Sequence, residues 1–204
     1  MIEELAKIAA ALVAPGKGIL AADESSGTIK KRFDGIGVTS SEDTRRDYRE
    51  MLFRAGEGMK NYVSGVILYD ETIRQKAKDG TPLVDVMKAA GSIPGIKVDA
   101  GAKPLAGPNV KIETVAEGLD GLRERLAEYH KLGARFAKWR AVITIGDDGR
   151  PSWNCVHANA HALARYAALC QEAQIVPIVE PEVLMDGPDA KHAIDRCYDV
   201  TVWT

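Results

Sequence analysis

Apolar runs in this chain repeatedly end in charged residues, and the charges recur at a spacing of two. Ile19-Leu20-Ala21-Ala22 runs into Asp23-Glu24, and Val66-Ile67-Leu68-Tyr69 into Asp70-Glu71. Ile96 leads into Lys97-Val98-Asp99, Phe136-Ala137 into Lys138-Trp139-Arg140, and Ile178-Val179 into Glu180-Pro181-Glu182. In a strand, residues i and i+2 share a face. Lys97 with Asp99, Lys138 with Arg140, and Glu180 with Glu182 therefore each point one way. Charge is costly to bury unpaired. Strands that all finish in charge are expected to bring those ends to one polar pocket, the layout of a site at the carboxyl end of a parallel sheet or barrel.

The rest of the chain alternates strand and helix. Leu5, Ile8, Ala9 and Leu12 line one face of a short N-terminal helix that Pro15-Gly16 stops. Strands are expected at Gly18 to Ala22, Val63 to Tyr69, Ile93 to Val98, Ala134 to Ile143 and Ile175 to Val183. Helices are expected at Thr28 to Ile36, at Glu42 to Ala55, and around Leu83, Val86 and Met87. Residues 100 to 112 read as a Gly- and Pro-rich loop. Val115, Leu119, Leu122, Leu126 and Tyr129 step by four and three, which predicts one long amphipathic helix. Gly146-Asp147-Asp148-Gly149 turns the chain. Ser152 can cap a helix that carries Val156, Leu163, Tyr166, Ala167 and Cys170 inward, and a last helix begins near Asp189.

Alternating units call for a parallel sheet with right-handed crossovers. There is no Gly-rich dinucleotide fingerprint and no P-loop. The fold class expected is α/β, a (β/α)8 TIM barrel of which about the first five strands are present. A whole barrel typically takes ~250 residues, and this chain has 204. The final helix, Arg196 to Thr204, meets no Gly, Asn or Pro stop. We read residues 1–204 as a single domain, the N-terminal portion of a larger barrel.

Several function classes are disfavoured by composition. A net charge of −2 supplies no basic field for nucleic acid or an anionic membrane. No apolar stretch approaches the ~20 residues of a membrane span. The N-terminus starts acidic, without the basic region of a secretory signal or the Arg-rich bias of a transit peptide. Cys155, Cys170 and Cys197 are odd in number and far apart, against a disulfide framework and for a reducing compartment. A cytoplasmic protein acting on a small molecule is expected.

The constellations carry functional and structural readings side by side. Lys138 and Arg140 beside inward carboxylates suit a sugar phosphate. A lysine among cations can also have its pKa lowered toward ~7–8 for proton transfer or Schiff-base chemistry. The same residues equally suit a structural ion-pair network. Glu180 and Glu182 can divide acid and base roles, serve as a glycosidase pair, or simply balance the lysines. Ser25-Ser26-Gly27-Thr28 after the first strand, with Lys30, Lys31 and Arg32 following, suits a phosphate at a helix N-terminus; it also suits an ordinary N-cap and a solvated basic turn. His157 and His161 have the i, i+4 spacing of a helical metal pair, but no third ligand accompanies them. Tyr62, Tyr69 and Trp139 read as packing residues with polar handles.

Taken in order, these segments resemble one known family. Ala14-Pro15-Gly16-Lys17-Gly18-Ile19-Leu20-Ala21-Ala22-Asp23-Glu24-Ser25 is similar to the strand-one signature of class I fructose-1,6-bisphosphate aldolases. Gly65 to Thr72, Gly95 to Asp99, Phe136 to Arg140 and Ile175 to Glu182 match that family's next four strands in order, so the resemblance covers essentially the whole chain.

The resemblance implies a metal-independent (β/α)8 lyase, usually a homotetramer, with no cofactor. It would cleave fructose 1,6-bisphosphate through a lysine Schiff base and run in reverse in gluconeogenesis. Carried over by position, Asp23 would handle the C4 hydroxyl proton, and Lys97 would contact the sugar and its 6-phosphate end. Lys138 would assist Schiff-base formation and carbinolamine breakdown, with Arg140 holding the array. Glu180 would be the general acid/base and Glu182 its neighbour that positions the amine. Ser25, Thr28, Arg32 and Arg45 match the phosphate-binding side; Thr28 stands where serine is frequent and keeps the hydroxyl. The family's imine-forming lysine lies on a sixth strand. These 204 residues alone are therefore expected to be inactive. Two other readings stand beside this one: a non-catalytic half-barrel with residual sugar-phosphate affinity, and a glycoside hydrolase. The placing of both carboxylates on one strand disfavours the hydrolase.

Overall fold

The computed structural model describes residues 2–107, 113–146, 148–184 and 190–204. In chain order its elements begin with α1 (Ile2–Leu12), β1 (Gly18–Ala22), α2 (Ser26–Asp34), α3 (Glu42–Phe53), α4 (Gly56–Tyr62) and β2 (Val63–Leu68). There follow α5 (Asp70–Arg74), α6 (Leu83–Ala89), β3 (Ile93–Lys97), β4 (Ala102–Pro104) and β5 (Thr114–Ala116). The chain continues through α7 (Leu122–Lys131), β6 (Phe136–Thr144), α8 (Trp153–Glu172), β7 (Val176–Leu184) and α9 (Ala190–Trp203). The five strands expected from the sequence lie side by side in chain order, β1-β2-β3-β6-β7. That is the order of the first five strands of a (β/α)8 barrel. Among the described residues, no helix is long and apolar enough to cross a membrane.

Backbone contacts group the chain into two compact units. The first takes residues 1–97, 123–137 and 170–176. Here β2 runs parallel to both neighbours, with Ala22 opposite Leu68 on one side and Leu68 opposite Ile96 on the other. Val66, Ile67 and Leu68 are all buried, as expected of a parallel strand covered on both faces. Phe136 fills a hollow made by glycines: a Cβ on Gly95 would lie 2.2 Å from its Cζ, and one on Gly65 would lie 2.9 Å from its Cε1. Ser64 Oγ donates to the Leu12 carbonyl at 2.6 Å, tying the end of α1 to β2. On α7, the buried Tyr129 hydroxyl donates to Asp70 Oδ1 at 2.9 Å.

The second unit takes residues 98–122, 138–169 and 177–204. Its hairpin pairs β4 and β5 antiparallel, Ala102 opposite Ala116. The fully buried Asn159 of α8 fastens the hairpin. Its Oδ1 accepts from Ala116 N at 3.2 Å, and its Nδ2 donates to Thr114 O at 2.9 Å and to Cys155 O at 3.0 Å. Ser152 Oγ accepts from Cys155 N at 3.2 Å, so it caps α8 as the sequence predicts. Val200 of α9 packs with Ile143 and Ile145, flanked by Val183 and Cys197.

The structure departs from the sequence reading in a few places. The periodic run from Val115 does not form one helix: Val115 lies in β5, and the helix starts only at Leu122. Two glycines break it, Gly118 at φ 130° and Gly121 at φ 62°. A Cβ on Gly118 would come within 2.9 Å of Ala100 N, so the position also needs the bare backbone. The segment read as loop carries β4, while residues 108–112 lie outside the described residues. So do Asp147 and Asp189, at the expected turn and helix start. Tyr62 is not a packing residue, at 67% exposed, whereas Trp139 is fully buried. Residues 56–62, not assigned by periodicity, form α4.

Candidate active site

On β6 the alternation of the strand turns Trp139 into the core and Lys138 and Arg140 to the other face. On β7 the same period sets Glu180 and Glu182 on one face, with Pro181 between them. The four side chains meet as two rungs. Lys138 Nζ lies 3.2 Å from Glu180 Oε2. Arg140 grips Glu182 in a fork: Nε donates to Oε2, and Nη2 donates to Oε1 at 2.7 Å. Asp99 stands beside Arg140, its Oδ2 accepting from the Arg140 backbone N–H at 3.3 Å and its Oδ1 from Gly101 N at 3.0 Å.

The two rungs differ in kind. The paired hydrogen bonds from Arg140 hold the Glu182 carboxyl below the usual carboxylate range, and those same bonds raise the pKa of Arg140. Glu182 is thereby fixed as an anion. Glu180 Oε2 meets Lys138 at ionic distance without the alignment of a hydrogen bond. Of the two carboxylates, Glu180 is the one that Arg140 does not hold in a fork. This arrangement suits a division of labour: one carboxylate holds geometry and the other moves protons.

The first unit carries the strand-one residues. Asp23 follows the last residue of β1 and is half-buried; Lys97, half-buried, ends β3. Ser25 caps α2, its Oγ accepting from Thr28 N at 3.3 Å and lying 3.0 Å from Thr28 Oγ1. Arg32 pairs with Glu24. Arg45 forks Glu71, Nε to Oε2 at 2.8 Å and Nη2 to Oε1 at 2.5 Å. Both arginines of the expected phosphate side are thus held by carboxylates. Glu71 also lines an open cavity of about 460 Å³ shared with Glu42, Asp43, Arg46, Arg74, Gln75 and Lys76.

His157 does not join these clusters; its ring lies 4.9 Å from that of Trp153, and both side chains are exposed, as is His161. Among the described residues, no three His, Cys, Asp or Glu side chains are grouped to hold a metal ion. Sequence reasoning passed over Arg49 of α3, a fully buried arginine whose Nη2 donates to the Glu24 carbonyl at 2.7 Å. The signal available was its spacing: Arg45 and Arg49 are one helical turn apart and share a face.

Comparison with known proteins identifies the family. The family model "Fructose-bisphosphate aldolase class-I" matches residues 4–204. The chain is 62% identical over 200 residues to a probable fructose-bisphosphate aldolase class 1 of Xanthomonas campestris pv. campestris, covering 98% of this chain and 58% of that protein. It is 54% identical over 199 residues to the cytosolic fructose-bisphosphate aldolase 6 of Arabidopsis thaliana, covering 98% and 54%. The fold is similar to that of fructose-bisphosphate aldolase from Plasmodium falciparum, solved with TRAP and a small-molecule inhibitor. That likeness has a TM-score of 0.91 at 49% identity, over 98% of this chain and 56% of that one. The chain spans a little over half the length of the relatives it matches.

Proposed function

The chain belongs to the class I fructose-bisphosphate aldolase family, and from that premise we propose that it contributes the acid/base and phosphate-recognition side of a lysine Schiff-base aldolase. The full-length protein reversibly cleaves fructose 1,6-bisphosphate to dihydroxyacetone phosphate and glyceraldehyde 3-phosphate, in glycolysis and gluconeogenesis, as a cytoplasmic homotetramer without metal or cofactor. The observation that carries this reading is the pair of rungs, Lys138–Glu180 and Arg140–Glu182.

In this reading Glu180 moves protons at the carbinolamine, with Lys138 Nζ 3.2 Å from its Oε2. Glu182, fixed by Arg140, positions the reacting amine. Asp23 takes the C4 hydroxyl proton as the carbon–carbon bond breaks. Lys97, Ser25, Thr28, Arg32 and Arg45 hold the sugar and its phosphate by charge-assisted hydrogen bonds. The imine-forming lysine of the family lies on a sixth strand, so the 204 residues alone bind sugar phosphate without turning it over.

The test is intact mass before and after borohydride in the presence of dihydroxyacetone phosphate. The amine and the ketone lose water to form an imine, and hydride reduces it to a stable amine. One reduced adduct on the full-length protein, at a lysine outside these residues, is the expected result. No adduct, or activity abolished by a chelator, overturns the Schiff-base reading. An adduct on Lys138 of the 204-residue chain overturns its proposed inactivity.

A further inference from the structure

Arg49 is fully buried, yet its guanidinium is only partly used. Nη2 donates to Glu24 O at 2.7 Å. Nε and Nη1 make no hydrogen bond. Glu71 Oε2 approaches Nη1 at 3.5 Å, an ionic distance short of hydrogen-bond geometry, and Glu24 Oε2 stands 3.9 Å from Nη2. Burying a guanidinium with N–H groups unmet is expensive, and orphaned donors inside a protein call for a reason. One turn away on the same helix, Arg45 holds both oxygens of the same Glu71. A single carboxylate therefore faces two arginines, bonded to one and poised at the open edge of the other. It also lines a cavity of about 460 Å³, which gives it room to turn.

We propose that Glu71 is an exchangeable counter-anion that sets the affinity of Arg45 for phosphate: an arriving phosphate takes the Arg45 fork, and the displaced carboxylate moves onto Nη1 of Arg49, 3.5 Å from it at rest. Without Arg49 the displaced carboxylate would lose its one fully buried cationic neighbour, and the exchange would be costlier. With Arg49, each state satisfies one arginine more fully than the other. The site thus has two arrangements, and phosphate selects between them by differential binding. The inference rests on the phosphate role proposed above for Arg45.

The experiment is calorimetric titration of the 204-residue protein with inorganic phosphate at low salt and neutral pH. Parallel titrations use Glu71→Gln, Arg45→Ala, and Glu172→Gln as a charge control on the exposed Arg123 pair. Removing the internal competitor is expected to tighten phosphate binding by ~5–10-fold in Glu71→Gln, with Glu172→Gln unchanged and Arg45→Ala lost. Side-chain NMR gives a second reading on the unaltered protein. The Arg49 Nε–H signal shifts as phosphate is added although Arg49 touches no phosphate, and it stays still in Glu71→Gln. Phosphate binding that depends on Arg45 but is indifferent to Glu71, or a stationary Arg49 signal, overturns the exchange and leaves the phosphate role of Arg45 standing. Binding unchanged in Arg45→Ala, or absent from every variant, overturns both.

Discussion

Glu182 meets Arg140 with both carboxylate oxygens, one of them 2.7 Å from Nη2. The fork lowers the carboxyl pKa in the folded state relative to the unfolded chain. A group depressed in this way contributes stability that is present above its unfolded pKa, about 4.3, and is lost as pH falls through the folded value. The protein is expected to lose urea resistance on going from pH 7 to pH 3.5, and Glu182→Gln to lose less over the same interval. The effect is modest because the side chains are 35% and 41% exposed and solvent screens them. Equal slopes for the two proteins would remove the fork from the acid response.

Under the proposed assignment, the commitment of Glu182 to Arg140 gives the two β7 carboxylates different roles. In the full-length protein, Glu180→Gln is expected to lower kcat by ~10²–10⁴-fold with its pH profile flattened, the signature of a lost proton carrier. Arg140→Lys leaves the charge but not the fork; it should lower activity while keeping the pH profile's shape. Steady-state kinetics across pH decides this, and an unaltered profile in Glu180→Gln would reassign the acid/base role.

Gly95 lies under the ring of Phe136, with 2.2 Å between its would-be Cβ and the ring. Gly95→Ala is expected to destabilise the protein by about 2–3 kcal/mol through forced displacement of a fully buried aromatic. Pairing it with Phe136→Leu should recover part of the loss, because the two changes share one volume. Denaturant midpoints of the single and double variants measure both effects.

Burial pushes the Cys155 thiol up to about 11, so almost no thiolate exists at pH 8. Cys170 is also buried, and Cys197 only half so. Brief alkylation of the native protein with iodoacetamide should add one group, at Cys197, and unfolding in denaturant should add all three. Peptide mass mapping reads the order; early modification of Cys155 would contradict its surroundings.

The strands and their charged ends were legible because they are local: an apolar run and the i, i+2 charges after it need no partner to be recognised. β1 falls at the predicted Gly18–Ala22. What could not be read is pairing. That Lys138 meets Glu180 and Arg140 meets Glu182 depends on the register of β7 against β6, a non-local quantity. The β4–β5 hairpin was hidden for a related reason, since each strand is three residues long and Val115 fits a helical step as well as a strand position. Arg49 was concealed by its neighbours: amid Glu42-Asp43-Thr44-Arg45-Arg46-Asp47 it reads as one more solvated charge, and only the packing of α3 buries it.

Behind the two rungs, the ring of Trp139 lies 5.5 Å from that of Tyr166, whose hydroxyl donates to Ile178 O at 3.2 Å, two residues before Glu180. The aromatic pair thus touches β6 between its two cations and β7 just ahead of its two carboxylates. Trp139 is fully buried with its indole N–H unbonded, whereas Trp153 and Trp203 are 61% and 44% exposed. The blue edge of the protein's intrinsic fluorescence consequently belongs to one residue seated between the site's own cations. A ligand that shifts one strand against the other is expected to move that emission.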